Sequence, residues 1–88
     1  MAWITRIAWD DRSVDHVARH GVTPEKVEEV VGSSAFITRG RDDTYRAIGR
    51  THGGRYLTII LAPRGSGTFY VVTARDADPS ERRAYLRR

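Results

Sequence analysis

The segment Tyr56–Ala62 constrains the fold more than any other part of the chain, because it reads Tyr-Leu-Thr-Ile-Ile-Leu-Ala and is almost continuously apolar. A strand with one solvent-exposed face alternates apolar and polar residues, whereas a strand covered on both faces need not. A membrane span would need about 18 apolar residues, and no run in the sequence approaches that length. We therefore predict a central strand covered on both faces, in a cytoplasmic protein with no signal peptide and no membrane partner.

The chain before this strand predicts one strand and two helices. Residues 3–9 alternate and contain aromatic and β-branched types, which is typical of a strand. A helix over about 11–20 follows, because Asp10 and Asp11 stand where an N-cap is expected and apolar residues recur at helical spacing up to a terminating glycine. A second helix begins with Thr23 as its N-cap and Pro24 at its first position, and it ends at Gly32.

The rest of the chain predicts a strand meander and a last helix. The expected strands cover residues 35–39, 43–51, 55–62 and 68–75. Gly53-Gly54 predicts a tight hairpin turn, and Pro63–Gly67 predicts a looser one. Asp78 and Glu81 have the spacing of a capping box for a helix that runs to about Arg87.

The order of these elements favours an α+β fold. A β-α-α unit precedes an antiparallel β meander, and a C-terminal helix completes a single domain over residues 1–88. Strands that are grouped in this way are not typical of a doubly wound parallel sheet.

The charge of the chain is basic and is carried almost entirely by arginine. Fifteen Lys and Arg side chains oppose eleven Asp and Glu, for a net charge of +4, and Lys26 is the single lysine. The planar guanidinium suits phosphate, carboxylate and base edges, which indicates RNA, DNA or an acidic protein as a partner. A GC-rich genome would also enrich arginine, and this alternative stays open.

The sequence favours no metal site. The chain has no cysteine, which excludes a disulfide framework and a thiolate metal site. His16 and His20 share one face of a predicted helix, but no third ligand lies nearby in the sequence. We therefore expect no metal and no cofactor.

The remaining polar residue types suit metal-independent RNA cleavage. In that reaction a 2′-hydroxyl attacks the adjacent phosphate, so a site needs a proton acceptor, a proton donor and cations. Arg75 is the strongest candidate, because it ends a strand just before a turn, although an arginine there also pairs readily with Asp76 or Asp78. Arg46 shares a strand face with Thr44 and Arg50, and such a row could follow a phosphate backbone.

Histidine and tyrosine supply the candidates for proton transfer. His20 is the preferred proton acceptor because histidine titrates near neutral pH, and His16 and Asp10 are the alternatives. Tyr85 could donate a proton or stack on a base. A helix-terminal role for His20 and a packing role for Tyr85 are the structural alternatives.

An ordered set of segments carries a family resemblance. It comprises Trp9-Asp10, His16-x-x-Arg19-His20-Gly21-Val22-Thr23-Pro24-Glu25, Ile48-Gly49-Arg50-Thr51, Gly54-Arg55-Tyr56-Leu57, Thr73-Ala74-Arg75-Asp76-Ala77 and Glu81-Arg82-Arg83-x-Tyr85. In this order the segments, from about residue 6 to residue 86, resemble the BrnT-type toxins of type II toxin–antitoxin systems. The resemblance implies a RelE-like α+β fold.

The resemblance also implies a function, and the family's site elements fall on Arg19-His20-Gly21, Thr73-Ala74-Arg75 and Tyr85. It implies a bacterial toxin that inhibits translation by cleaving RNA, either free or on the ribosome. The implied partner is a cognate ribbon-helix-helix antitoxin, which neutralises the toxin. The toxin would associate with operator DNA only through this antitoxin. The catalytic residues expected are Arg75, His20, Arg46 and Tyr85. The RNA-binding residues expected are Arg19, Arg50, Arg55, Arg64 and Arg83.

The sequence departs from the family pattern at three points. His16 stands where the family often has asparagine, and the segment before it is one residue shorter. Asp43-Thr44 stands in place of a Glu-Arg pair, so the usual arginine is absent. We expect Arg46, two residues further along the same strand face, to replace that arginine.

Two other functions fit the sequence. One is a module of the same fold that binds RNA or a partner without cleaving RNA. The other is a structural or interaction domain with no nucleic-acid role, for which RNA binding would be weak and insensitive to salt.

Overall fold

A computed structural model describes residues 4–88, which form a five-stranded sheet and three helices. In chain order the elements are β1 (Arg6–Ala8), α1 (Asp11–Ala18), α2 (Pro24–Gly32), β2 (Phe36–Arg39), β3 (Tyr45–Arg50), β4 (Tyr56–Gly65), β5 (Thr68–Asp76) and α3 (Pro79–Arg87). Within this described range, no helix is both long and apolar enough to cross a lipid bilayer.

The sheet has the order β1-β5-β4-β3-β2. Strands β2 to β5 are antiparallel to their neighbours, whereas β1 pairs in parallel with β5. The predicted α+β fold, with a meander followed by a last helix, is confirmed. The first strand is shorter than the predicted 3–9, since only Arg6–Ala8 pairs with Thr68–Tyr70, and Trp3 lies outside the described residues.

Strand β4 is the central strand, as predicted, but it is longer than expected. It continues through Pro63 to Gly65, where the predicted loose turn should begin. Proline lacks an N–H donor and is tolerated in a sheet only at edges and irregularities, and the register with β5 does shift between Pro63 and Gly65. The hairpin turn itself is made by Gly65, Ser66 and Gly67, all with positive φ.

The two faces of β4 meet different helices. Leu57, Ile59 and Leu61 are completely buried in a core to which α1 contributes Val17 and α2 contributes Val27. Thr58 and Ile60 alternate with these residues and therefore point to the opposite face of the sheet. The helices α1 and α2 thus cover one face, and α3 packs on the other.

All three helices begin at the predicted capping residues. Asp10 caps α1, because its Oδ1 accepts the N–H of Ser13 at 2.8 Å. Thr23 caps α2, with Pro24 at its first position. The predicted capping box of α3 is confirmed, because Asp78 Oδ1 accepts the N–H of Glu81 at 2.8 Å while Glu81 Oε1 accepts the N–H of Asp78 at 2.9 Å.

Candidate functional site

An open groove lies beside α3, on the sheet face away from α1 and α2. Its cavity volume is about 470 Å³. The lining residues are Arg39, Gly40, Arg41, Thr44, Arg46, Ile60 and Arg75. Arg46 lies directly opposite Ile60 across β3 and β4, and Arg75 lies opposite Thr58 across β5 and β4, so the register brings the two arginines to one face. A concave surface with this density of guanidinium groups suits a polyanion.

A buried carboxylate from α3 joins the two deeper arginines. Glu81 is only 4% exposed, and it forms a bidentate pair with Arg75: Arg75 Nη1 donates to Oε1 at 2.7 Å and Nη2 donates to Oε2 at 2.9 Å. Arg46 Nη1 donates to Oε2 at 3.3 Å, and the Thr58 hydroxyl donates to Oε1 at 2.9 Å. Glu81 therefore links α3 to three adjacent strands.

These contacts fix the charges at the base of the groove. The hydrogen bonds from Arg75, with further ones from the Asp78 N–H and the Thr58 hydroxyl, lower the pKa of Glu81 to about 2 although burial opposes this. Hydrogen bonding to Glu81 in turn raises the pKa of Arg75. Near neutral pH the cluster holds one carboxylate and two guanidinium groups, which leaves one excess positive charge.

The connection between β2 and β3 holds the groove's outer rim. Asp42 and Asp43 adopt positive φ of 52° and 61°, and the turn closes when the N–H of Thr44 donates to the Arg41 carbonyl at 2.9 Å. Arg41 is exposed at this rim. Arg39 lies over the Tyr45 ring at 5.3 Å.

Thr44 and Arg46 both line the groove, whereas Arg50, which was predicted to share their strand face, does not, and Thr44 precedes β3. The role expected for Arg46, as a replacement for an arginine at position 44, stays a prediction. Within residues 4–88, the buried Nε of Arg46 has no hydrogen-bond partner, while the side chain as a whole is 38% exposed. Arg46 therefore has donor capacity that the fold does not use.

Of the other predicted RNA-binding residues, Arg55 has a clear intramolecular role. Its Nε donates to Asp76 Oδ1 at 2.8 Å, its Nη1 to the Gly21 carbonyl at 2.7 Å and its Nη2 to the His20 carbonyl at 2.7 Å. Arg55 thus ties the start of β4 to the end of β5 and to the connection between α1 and α2.

Four further predicted RNA-binding arginines lie outside the groove and are exposed. Arg50 lies over the Tyr56 ring at 5.7 Å, and Arg64 lies over the Tyr70 ring at 4.6 Å. Arg19 is the C-terminal cap of α1, and Arg83 is on α3.

The predicted proton-transfer residues also lie outside the groove. His20 is exposed just beyond α1. His16 Nδ1 lies 3.2 Å from the Val72 carbonyl. Asp10 is engaged as an N-cap, and the Ser13 N–H lowers its pKa. Tyr85 is 8% exposed and packs edge-on against Tyr56, with ring centroids 5.9 Å apart.

The sequence did not identify Glu81 as a partner of the groove arginines. The capping box predicted that its carboxylate would bond to the backbone of Asp78. Nothing in the local sequence indicated that the same carboxylate would also reach across the sheet to Arg75 and Arg46. Across residues 4–88, no three His, Cys, Asp or Glu side chains form a cluster that could hold a metal ion.

The fold of this chain is similar to that of a known protein of solved structure. No protein-family model matches the chain, and neither does any curated protein. The chain is similar to the ribonuclease toxin BrnT of Brucella abortus, with a TM-score of 0.67 and 28% sequence identity over 83% of this chain and 96% of that chain. This chain has a BrnT-like toxin fold. The resemblance found in the sequence segments is thus supported by the whole arrangement of helices and strands.

Proposed function

We propose that this chain is a ribonuclease toxin of the BrnT family that binds RNA in the arginine groove and cleaves it without a metal. The observation that carries the proposal is the convergence of Arg46 and Arg75 with Arg39 and Arg41 on one open groove. The likeness to a ribonuclease toxin supports RNA, over another polyanion, as the ligand proposed for this groove.

In the proposed reaction the 2′-hydroxyl of RNA attacks the adjacent phosphorus. The bond from phosphorus to the 5′-oxygen breaks, which leaves a 2′,3′-cyclic phosphate and a 5′-hydroxyl. Arg46 and Arg75 would bind the phosphoryl oxygens and stabilise the negative charge that accumulates on them. Removal of one such preorganised donor typically costs about 100- to 1000-fold in rate.

His20 stays a predicted proton acceptor, and it lies outside the groove that would hold the attacked phosphate. Arg55 contacts the His20 carbonyl and the Asp76 side chain, and Asp76 follows Arg75 directly. The backbone of His20 is thus linked through Arg55 to the residue next to Arg75. Tyr85 stays a predicted catalytic residue, and Tyr85→Phe would remove its proton without removing its packing.

The proposed partner is an antitoxin of the ribbon-helix-helix kind, whose acidic or apolar segment would cover the groove. The net charge of +4 and the arginine lining favour an acidic segment. A structure of the complex should show Arg46 and Arg75 at the interface. An interface that leaves both exposed would contradict masking of the site.

The test is induced expression in a bacterial host, with growth and mRNA 5′ ends followed over time. The native chain should arrest growth and create new 5′ ends. Arg75→Lys keeps the charge but loses bidentate geometry, so it should relieve both effects at equal soluble abundance. Arg87→Ala is the matched control, because it removes an exposed arginine of α3 that does not line the groove, and it should still cause arrest.

A non-catalytic RNA-binding module is the second candidate function. The observation that favours it is that, in the described part of the chain, neither a histidine nor a carboxylate is among the lining residues of the groove. Normal growth with abundant folded native protein, together with salt-sensitive RNA binding, would support this module and contradict the toxin.

A further inference from the structure

We propose that Glu81 is a positioning residue, which orients the Arg75 and Arg46 guanidinium groups so that they bind an RNA phosphate. The inference rests on the proposed function, since it assigns a role within the same groove. It concerns a residue that does not line the groove and that would act only through its neighbours.

The first argument is that the contacts of Glu81 exceed what its helix needs. A capping box requires one oxygen of the residue at the third helical position to accept the N–H of the cap. Oε1 of Glu81 fulfils this requirement with Asp78. The contacts of Oε2 with Arg75 and Arg46 add nothing to the cap, yet they place the same carboxylate between two guanidinium groups.

The second argument is the donor inventory of Arg75. A guanidinium carries five N–H donors. Nη1 donates to Glu81 Oε1 and to the Asp76 carbonyl, and Nη2 donates to Glu81 Oε2, so three donations are made within the protein. Among residues 4–88, the Nε–H and one Nη2 N–H are left without a partner, and these two lie on the same side of the guanidinium. Glu81 thus holds one edge of Arg75 and leaves a second edge for bidentate contact with phosphate.

The third argument is electrostatic. Two guanidinium groups that share one small space repel each other, and a carboxylate between them offsets that repulsion. A buried ion pair adds little stability over apolar side chains of similar volume, so packing of α3 on the sheet does not by itself explain why charged residues occupy this place. An anchored pair of cations with one excess positive charge is, by contrast, suited to an incoming anion.

Glu81→Gln tests the proposal, because charge and orientation predict opposite changes. The variant makes the site more positive by one charge, which by itself strengthens RNA binding. It also keeps an oxygen that can accept from Asp78. If Glu81 positions Arg75, the Kd for RNA should instead rise about tenfold, as expected for the loss of one charge-assisted contact.

The measurement is the fluorescence anisotropy of a fluorescein-labelled single-stranded RNA of mixed sequence, at a temperature where circular dichroism shows each variant folded. Ser13→Ala is the matched control, since Ser13 is also a buried residue at the third position of a capping box, but in α1. Ser13→Ala should lower the melting temperature and leave the Kd unchanged.

A double-mutant cycle shows whether Glu81 acts through Arg75. In an Arg75→Ala background, Glu81→Gln should weaken RNA binding less than it does in the native chain, because only Arg46 is left for Glu81 to orient. Arg75→Lys serves as a second background. It keeps a positive charge that can pair with Glu81, but its single ammonium group has no bidentate geometry for Glu81 to hold.

The two proposals fail in different ways. An unchanged or lower Kd for folded Glu81→Gln would overturn the positioning role and leave the proposed function intact. The same would follow if Glu81→Gln raised the Kd for RNA by the same factor in the native chain and in both Arg75 backgrounds. A native chain that neither binds nor cleaves RNA would overturn the proposed function itself, and the positioning role with it.

Discussion

The depressed pKa of Glu81 makes the stability of the fold depend on pH in a calculable way. The carboxyl has a pKa of about 2 in the folded chain, against 4.5 as the ordinary value that the unfolded chain is expected to show. Each pH unit of difference corresponds to about 1.4 kcal/mol, so ionised Glu81 contributes about 3 kcal/mol to the free energy of unfolding. Small domains have about 5–15 kcal/mol in total, so this one group is a large fraction.

The sign follows from the direction of the shift. Because the folded chain has the lower pKa, the unfolded chain takes up a proton first as the pH falls. The contribution of Glu81 is therefore complete above about pH 5 and is lost between about pH 4.5 and pH 2. Glu81→Gln cannot ionise, so the variant should lack this contribution at every pH.

The assay is urea unfolding of the native chain and Glu81→Gln at a series of pH values from 7 to 2.5. The difference in free energy of unfolding should be about 3 kcal/mol at neutral pH and should shrink steadily below pH 4.5. Taking the difference between the two proteins cancels the titration of the other carboxylates, apart from Asp78, which bonds directly to Glu81. A difference that stays constant over this range would refute the argument that the ionised form is selectively stabilised.

Three further predictions concern the groove rim, the Arg55 contacts and the core. Arg41→Ala should leave the melting temperature unchanged and should reduce the slope of log Kd for RNA against log salt concentration by about 0.7, as expected for one lost phosphate contact. An unchanged slope would place Arg41 outside the RNA interface. Arg55→Gln should lower the free energy of unfolding by about 2 kcal/mol and the melting temperature, measured by circular dichroism, by about 10 °C. No decrease would mean that the three side-chain hydrogen bonds of Arg55 give no net stability. Gly49→Ala should cost about 1–3 kcal/mol in urea unfolding, since an added Cβ would lie 3.0 Å from Val30 Cγ1, whereas a neutral effect would show that α2 can shift.

The elements that the sequence predicted well are those whose signals are local. The N-caps Asp10, Thr23 and Asp78 bond to the backbone only three residues away, so the residue types alone specify them. The apolar run of β4 likewise predicts burial on both faces without knowledge of its neighbours. For these reasons the amino-acid sequence alone is sufficient to infer the α+β class and the antiparallel meander.

The parts that the sequence did not predict depend on contacts between distant residues. Nothing local in Arg6–Ala8 specifies that β1 joins β5 in parallel at the sheet edge. The extension of β4 past Pro63 depends on a register irregularity that its partner strand accommodates. Arg75 and Arg46 were identified as candidates, but their meeting at Glu81 depends on how α3 lies on the sheet.

The sheet order also has a consequence for the sequence of folding events. Every groove residue, and Glu81 with it, lies between Arg39 and Glu81, where strands pair with their neighbours in the chain through short connections. The pairing of β1 with β5 instead joins Arg6 to Thr68 and must close a loop of more than half the chain. Because long loops close at a greater entropic cost, we expect the hairpins that carry the arginines to form early and β1 to join the sheet late. The groove would then take shape before the edge of the sheet is complete.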